Sequence, residues 1–345
     1  MVVRTLVLLI AIFSITVAAH AQISGIQNFI RAGKADASIL TREYFRPLAS
    51  GLGASVNSGW VSNIDSSQTF NLRIQLRGGF AIIPSDQKSF DITQLSLNKV
   101  RPTNIQQTTA PTLSGSSQEG PRISIIDSGV EVGQITMPKG SGQGWIPVPQ
   151  LQFSGHIFSH TQLTGRLIPE IPIGDYGRAS QVGLGLSHQL NQYFRTDLPL
   201  QLAAIIGYNY LVGKRDFDLQ PQDNALPDPT YLGNYSNQKL RVQFNTVSLQ
   251  LIGQKNVSAF RFYGGLGIES TTMQVDITGD YPIPVDGVAG PQTQTITDPI
   301  SYSQRGDNTL SLMAGTAYQW QFATVFSDLV VAQIPVWNIG LEFQL

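Results

Sequence analysis

Apolar and polar residues alternate with period two over most of this chain, and the alternation is cleanest at its end. Residues 336–345 read VWNIGLEFQL, with Trp337, Ile339, Leu341, Phe343 and Leu345 on one face and Asn338, Gly340, Glu342 and Gln344 on the other. That is the mark of a strand with one apolar and one polar face. In 69–83, Phe70, Leu72, Ile74 and Leu76 oppose Asn71, Arg73, Gln75 and Arg77. The same period returns in 145–158, 161–171, 178–190, 198–212, 237–253, 257–279, 306–320 and 322–331. Two weaker segments, glycine-rich 51–63 and less regular 90–97, bring the expectation to about twelve strands, with ten or fourteen as alternatives. In 237–253 the apolar face switches near Thr246 and Val247, which predicts a bulge.

One stretch departs from this period. Within 22–50, Ile23, Ile26, Phe29 and Ile30 have helical spacing, as do Leu40, Tyr44 and Leu48. Pro47, Gly51 and Gly53 predict the end of that helix. Standing before the strands, it would either fold into a barrel as a plug or cap the barrel's periplasmic mouth.

Three stretches are too long for turns: 98–144, 213–236 and 280–305, rich in Ser, Thr, Gly, Gln and Pro. The first has room for a hairpin around 122–137. Counted in order, all three follow odd-numbered strands, so they fall at one end of the molecule. The turns after even-numbered strands (84–89, 159–160, 191–197, 254–256 and around 321) are short. Bacterial outer-membrane barrels show this asymmetry together with an even strand number, and a soluble sandwich has no reason to. The expected fold is all-β: an antiparallel transmembrane β-barrel over 51–345, with a short helical plug or cap over 22–50.

Residues 1–21 fit the compartment this implies. Arg4, an apolar run from Leu6 to Val17, and Ala19-His20-Ala21 make a secretory signal peptide, cleaved near Ala21. The run is too short for a stable membrane anchor. The chain has no cysteine, which excludes a lipidated N-terminus, disulfides, thiolate metal sites and a thiol nucleophile. Charged residues make up 13% of the sequence, against roughly a quarter in soluble domains. No other segment approaches the ~20 apolar residues of a membrane helix. Low charge without apolar runs is what a transmembrane barrel gives, because alternation dilutes the apolar residues. Removing Arg4 with the signal takes the net charge from −1 to −2, so no basic excess points to nucleic acid.

The C-terminal pattern resembles the C-terminal assembly signal of outer-membrane barrels, carried here by Asn338, Gly340, Phe343 and Leu345. It departs in ending on Leu345 where such proteins most often end on an aromatic residue. The stretch EYFRPLASGLGASVNSGW over 43–60 resembles an uncharacterised family, a domain of unknown function, of bacterial outer-membrane barrel proteins. IPVPQLQ (146–152), YGGLG (263–267) and ITDPIS (296–301) support it. The resemblance implies no assigned activity. A looser, architectural similarity is to the long-chain fatty-acid transporters, barrels with an N-terminal plug. It implies uptake of hydrophobic molecules, but that family's ligand residues are not matched. Location in the outer membrane of a Gram-negative bacterium implies two partners, outer-membrane lipid and the barrel-assembly machinery.

The inward faces offer Arg73, Arg77, Arg166, Arg241 and Arg261 with Glu170, Glu269 and Glu342. Such charges either meet a ligand or select ions, or they form a structural salt-bridge network filling a narrow barrel. Catalysis has little support. His156 and His160 flank a turn without carboxylates at ligand spacing, so no metal site is expected. Ser187 and His188 are adjacent on a strand and face opposite sides. No phosphate loop or dinucleotide signature follows a strand, so no cofactor is expected. Pro147 and Pro149 lie two apart, on one edge of their strand, and Pro169 and Pro172 interrupt the next. Either they sit in the outer loop region, or they mark a lateral opening in the wall.

Three functions follow as expectations. The leading one is an outer-membrane barrel, not an enzyme, that binds or passes a small hydrophobic or amphipathic molecule. The alternative is a structural or adhesive surface protein acting through its long loops. An outer-membrane hydrolase is the third and weakest.

Overall fold

The computed structural model describes residues 26–64, 72–173, 177–195, 198–287, 290–306 and 309–345. The expected signal peptide lies outside the described residues. Among them, ten strands close a single antiparallel barrel. They are β1 (Arg73–Ile82), β2 (Trp145–Phe158), β3 (Thr161–Pro172), β4 (Arg178–Gln189), β5 (Gln201–Asp216), β6 (Lys239–Val257), β7 (Phe260–Thr278), β8 (Thr309–Trp320), β9 (Ala323–Val331) and β10 (Val336–Gln344). Each pairs with its neighbour in sequence, and β10 closes the ring on β1 from Arg73↔Gln344 to Ala81↔Val336. An eleventh strand, Ile300–Arg305, adds to the far end of β7 over Thr272–Ile277.

Ten rather than twelve strands form because two expected segments do something else. Residues 51–57 belong to a helix. After a short helix α1 (Ile26–Ile30), α2 runs Lys34–Asn57, straight through Pro47, Gly51 and Gly53. Glycine inside a helix costs about 1 kcal/mol relative to alanine, so packing must offset it. A Cβ on Gly51 would lie 2.8 Å from Ile146 Cδ1, and one on Gly53 would lie 2.5 Å from Thr271 Oγ1. The missing side chains let the helix sit against the barrel strands. The second segment, 90–97, yields only a three-residue strand, Ser89–Asp91, paired with Thr109–Pro111. The Asp91 carboxylate then accepts the Thr93 N–H at 2.9 Å and starts a 3-10 turn, Ile92–Gln94. Such a local side-chain bond competes with a strand ladder.

The expected bulge at Thr246–Val247 is also absent. β6 keeps an unbroken register with β5 from Lys239 to Gln254 and with β7 along its whole length. Its inward residues change character instead. Leu240, Val242 and Phe244 are buried in an apolar cluster, and further along Thr246, Ser248 and Gln250 are buried on the same face.

The loop asymmetry holds with the revised count. The connections 83–144, 217–238 and 279–308 follow β1, β5 and β7 and share one end of the barrel. Those after β2, β4, β6 and β8 (159–160, 190–200, 258–259 and 321–322) share the other. The expected hairpin in the first long connection is present as Arg122–Asp127 paired with Val130–Thr136. The helices lie at the long-loop end, not at the short-turn end. Phe29, Ile30, Leu40, Tyr44 and Phe45 share one buried cluster with Ile92, Val100, Ile123, Ile135, Tyr281 and Ile283 from the long connections. The Asp36 carboxylate, itself buried, accepts the backbone N–H groups of Asn98, Lys99 and Val100 at 2.7–3.0 Å. The Tyr44 hydroxyl donates to the Lys139 carbonyl at 2.9 Å.

The outer wall is apolar. Val182, Leu184, Ile206, Leu249, Leu266, Ile268, Leu310, Leu312 and Leu329 are all exposed on it. Aromatic groups bound this band at both ends. Phe80 packs against Trp145 and Trp337 with ring centroids 5.7 and 5.8 Å apart. At the short-turn end Phe260 packs on Tyr318 at 5.0 Å. An apolar belt between aromatic girdles is the surface a barrel presents to a bilayer. No described helix is long and apolar enough to cross a membrane, and that test does not bear on crossing by strands.

Candidate functional site

From the end of α2 the chain runs down the inside of the barrel as an extended segment, and inward-facing strand residues hold it rung by rung. The Val56 carbonyl accepts from Arg166 Nη1 at 2.5 Å and from Asn209 Nδ2 at 3.1 Å. Arg166 Nη2 reaches the Ser58 carbonyl at 2.8 Å. The Ser58 hydroxyl donates to Asn338 Oδ1 at 3.0 Å. Gln152 Nε2 donates to the Trp60 carbonyl at 3.1 Å. The Ser62 hydroxyl donates to Glu342, and its carbonyl accepts from Arg261 Nη1 at 2.9 Å. Arg73 Nη1 reaches the Asn63 carbonyl at 3.2 Å, and Gln254 Oε1 accepts the Ile64 N–H at 2.9 Å. These bonds come from β1, β2, β3, β5, β6, β7 and β10. An extended segment has no internal partners for its peptide groups, so the wall has to supply them.

Two details fix the segment sideways. The Trp60 indole is buried with the Arg166 guanidinium 3.7 Å from its ring centroid, a cation–π contact. Its other surroundings include two glycines. A Cβ on Gly185 would lie 2.6 Å from the indole, and one on Gly207 would lie 2.2 Å from it. Gly59 sits at φ +62°, and a Cβ there would fall 1.4 Å from Arg77 Nη2. Both its backbone conformation and its space demand glycine.

Of the predicted inward-facing charges, Arg73, Arg77, Arg166, Arg261, Glu269 and Glu342 are buried within the barrel. Glu170 and Arg241 are corrected: both are exposed. Glu170 accepts from Lys214 at 2.8 Å and lies 3.4 Å from Arg178. Arg241 lies 3.3 Å from the Tyr210 hydroxyl. The period-two reading fails for Glu170 because β3 changes register between Ile168 and Ile171. It fails for Arg241 because the upper half of β6 puts apolar residues inward, against the helices. Three of the inward arginines meet backbone carbonyls of the chain's own segment. Arg77 lies 5.9 Å over the Phe326 ring and interacts electrostatically with Asp328, which accepts from Asn338 Nδ2 at 2.6 Å. Asn338 and Gly340, expected as parts of an assembly signal, thus also shape the interior. A Cβ on Gly340 would lie 2.4 Å from the Phe326 ring.

The wall has one irregular seam. β2 pairs with β3 only from Phe158↔Thr161 to Gln152↔Arg166. Beyond that rung β2 continues through 145–151 still paired with β1. β3 continues through 167–172 still paired with β4, apart from the register shift. The facing edges of β2 and β3 are not paired there. Pro147 and Pro149 lie on one side of the gap and Pro169 and Pro172 on the other. Gln150, on the inward face two residues past the last rung, is 4% exposed, and neither its Oε1 nor its Nε2 has a hydrogen-bond partner among the described residues.

The histidines are arranged for packing and local bonding. His188 Nδ1 is 2.8 Å from the Thr161 hydroxyl and its Nε2 is 3.0 Å from the Tyr193 hydroxyl. Ser187 is buried on the opposite face. Among the described residues no group of three or more His, Asp or Glu side chains converges as a metal site would require. Apart from Glu170 and the upper half of β6, the sequence had shown which residues face inward. It had not shown that the occupant would be the chain itself, although the stretch 43–60 that carries the family resemblance is the helix and indole in question.

Solved structures with a similar course of chain are barrels from bacterial surfaces. The translocator domain of the autotransporter NalP from Neisseria meningitidis is 9% identical, aligned over 90% of this chain and 99% of that one, with a TM-score of 0.34. Ail, the attachment invasion locus protein of Yersinia pestis, is 8% identical over 81% of this chain and 100% of its own, with a TM-score of 0.27. The copper transporter OprC is 13% identical over 79% of this chain and 39% of its own, with a TM-score of 0.30. At such TM-scores these likenesses carry no functional argument. The outer-membrane type of the barrel rests on its strand closure, apolar belt and loop asymmetry. No curated protein matches the chain. A family model does match it over residues 2–345, and the chain belongs to that family, DUF6588, a family of unknown function.

Proposed function

We propose that this protein resides in the outer membrane of a Gram-negative bacterium as a barrel plugged by its own N-terminal segment, and that it binds or passes a small hydrophobic or amphipathic molecule. The observation that carries this reading is the occupied lumen. The segment 56–64 is held by hydrogen bonds from seven strands, which leaves no room for a water-filled channel of the porin kind. What the wall does leave unpaired faces the apolar belt, and a molecule using that route must tolerate lipid. The inward charges then act as holders of the plug. We assign them no ion-selecting role and the protein no catalytic step.

Proteoliposome swelling tests this. Vesicles carrying the native protein are expected not to swell in an isotonic small sugar, while the same protein quenches or enhances a membrane-partitioning dye such as N-phenylnaphthylamine in a saturable way. Rapid swelling in sugar by the native protein would overturn the plugged reading. A second reading, a surface protein acting through its loops, is favoured by one observation: the largest apolar cluster lies at the long-loop end, built from the helices and the connections. Whole-cell adhesion lost on exchanging 98–137 for a short linker, with dye binding retained, would favour it.

A further inference from the structure

Lipid punishes an unpaired strand edge, because each unsatisfied backbone group in the hydrocarbon costs several kcal/mol. A barrel wall that opens within the belt therefore needs either removed donors or an occupant. Both signs are present at the β2–β3 seam. Four prolines stand on the two facing stretches, and a proline has no N–H to leave unsatisfied. The inner part of the seam also lies at membrane depth by the chain's own markers. Trp145, at the upper end of β2, joins the Phe80–Trp337 aromatic group of the girdle; Pro147 stands on the Phe80–Trp337 rung itself, and Pro149 and Gln150 fall on the membrane side of it. Leu167, on the β3 side, is an exposed apolar residue flanking the gap, and the exposed Glu170, paired with Lys214 and Arg178, marks its outer end.

Behind the seam the polar groups are few and specific. Gln150 lies two residues past the last β2–β3 rung on one strand. On the other side Gln181 of β4 pairs with Ile168, two residues past the same rung on β3. Both glutamines are buried, and Gln181 Oε1 likewise has no partner among the described residues. One amide thus offers an unused donor and acceptor, and the other an unused acceptor. Leaving such groups unmet is costly, so a ligand that meets them binds by that amount more tightly. Arg166, at the last rung, is committed to Gln152, to the Val56 and Ser58 carbonyls and to the Trp60 face. Arg77, which faces Gln150 across the β1–β2 pair, lies over the Phe326 ring and has its charge answered by Asp328. Arg77 Nε and Nη2 have no hydrogen-bond partner among the described residues, but with Asp328 balancing Arg77 the seam holds no uncompensated charge to favour a carboxylate or phosphate over a neutral head.

We propose that the β2–β3 seam is a lateral site for a single-chain amphiphile drawn from the outer leaflet. Its chain lies between Pro149 and Leu167, and its uncharged hydroxyl or amide head meets Gln150 and Gln181. This rests on the reading that the protein handles an amphipathic molecule, and it adds the place and the head chemistry.

The test uses purified full-length protein in nanodiscs and a monoacylglycerol carrying a diazirine in its acyl chain. Irradiation followed by peptide mass spectrometry should place adducts within 145–151 or 167–172. Gln150→Leu should weaken monoacylglycerol binding by about tenfold, the size of one or two lost neutral hydrogen bonds. It should leave binding of a head-less alkane probe unchanged. Pro147→Val with Pro149→Val should reduce labelling of the seam for both probes, with heat-modifiable gel mobility confirming that the barrel is closed. If that double variant fails to fold, Gln150→Leu decides alone. Saturable binding with adducts elsewhere, unaffected by these changes, overturns the seam and leaves the proposed function standing. No saturable binding of either probe by native protein overturns both. Equal affinity for an ionised fatty acid at pH 8 overturns the assignment of an uncharged head.

Discussion

At the scale of single residues, this molecule is organised by what its glycines and one tryptophan make room for. Trp60 occupies space that Gly185 and Gly207 leave open. Gly207→Val should therefore expel the indole and cost about 1–3 kcal/mol, as overpacking does. Adding Trp60→Ala should recover part of that loss. Urea titration of gel-shift stability on the single and double variants measures the coupling, and purely additive effects would contradict the contact. The wall gives a second contrast. Leu312 is 58% exposed and Ser311 is 4% exposed, one residue apart on β8. Leu312→Arg should impair assembly by ~2–4 kcal/mol at mid-bilayer depth. Ser311→Arg, beside Glu269 at 3.2 Å from Ser311, should be milder, and heat-modifiable mobility compares the two. Which residues face inward was legible in the sequence wherever the register is unbroken and the lumen polar, because alternation is a local property of a strand; it failed at Glu170 and Arg241. What they bond to was not. Arg166 and the Val56 carbonyl are 110 residues apart, and nothing local encodes their meeting.

At the scale of elements, strands with clean alternation were read closely, and errors gathered where tertiary packing overrides local preference. The stretch after Pro47 looks like the end of a helix and the start of a glycine-rich strand, yet α2 continues to Asn57. Its glycines serve approach to Ile146 and Thr271 rather than a turn. β10 was legible in full, and it closes the ring on β1. Phe343→Ala, or deletion of Leu345, should lower insertion if this strand is read by the assembly machinery, with surface levels as the readout. The long connections carry their own fastening. Asp228 accepts from the Thr230 hydroxyl and amide at 2.6 and 2.9 Å and from the Thr295 amide at 2.9 Å, tying 217–238 to the strand Gly290–Thr297. The bonds to Thr230 first, and then those to Thr295, hold its carboxyl well below the usual aspartate value. A depressed carboxylate stabilises above its unfolded pKa, about 4 for aspartate, and the contribution is lost as pH falls through the folded value. Amide exchange at Thr295, corrected for its intrinsic rate, should hold from neutral pH to about pH 4 and quicken below that. In Asp228→Asn it should already be fast at neutral pH.

For the whole molecule, the sorting of loops by parity survived the change from about twelve strands to ten, because the two lost strands both precede β2 and so shift every later strand by an even number. The location of the N-terminal helices was not legible. A hydrophobic stripe states that a helix is buried, not at which end of a barrel. The structure puts α1 and α2 at the long-loop end, among residues of the 83–144 connection. With the long loops facing outward, an epitope inserted just before Ile26 should be reached by antibody on intact cells. Labelling that appears only after the outer membrane is permeabilised would reverse this topology.

That placement bears on how the protein comes to exist. A ring of ten hydrogen-bonded strands surrounds a cord that enters from the long-loop end and is held down to Ile64 inside it. Once the ring is shut, the cord has no way in except lengthwise, drawing a folded helix through a bore already lined with side chains. The natural order of events is the reverse: the leading helix crosses first, and the hairpins then wrap around the trailing thread until β10 meets β1. The thread is thus the mould on which the cylinder is cast, and the arginines and glutamines of the strands are the cylinder's grip on it. Weakening that grip should slow maturation in the cell more than it loosens the finished product.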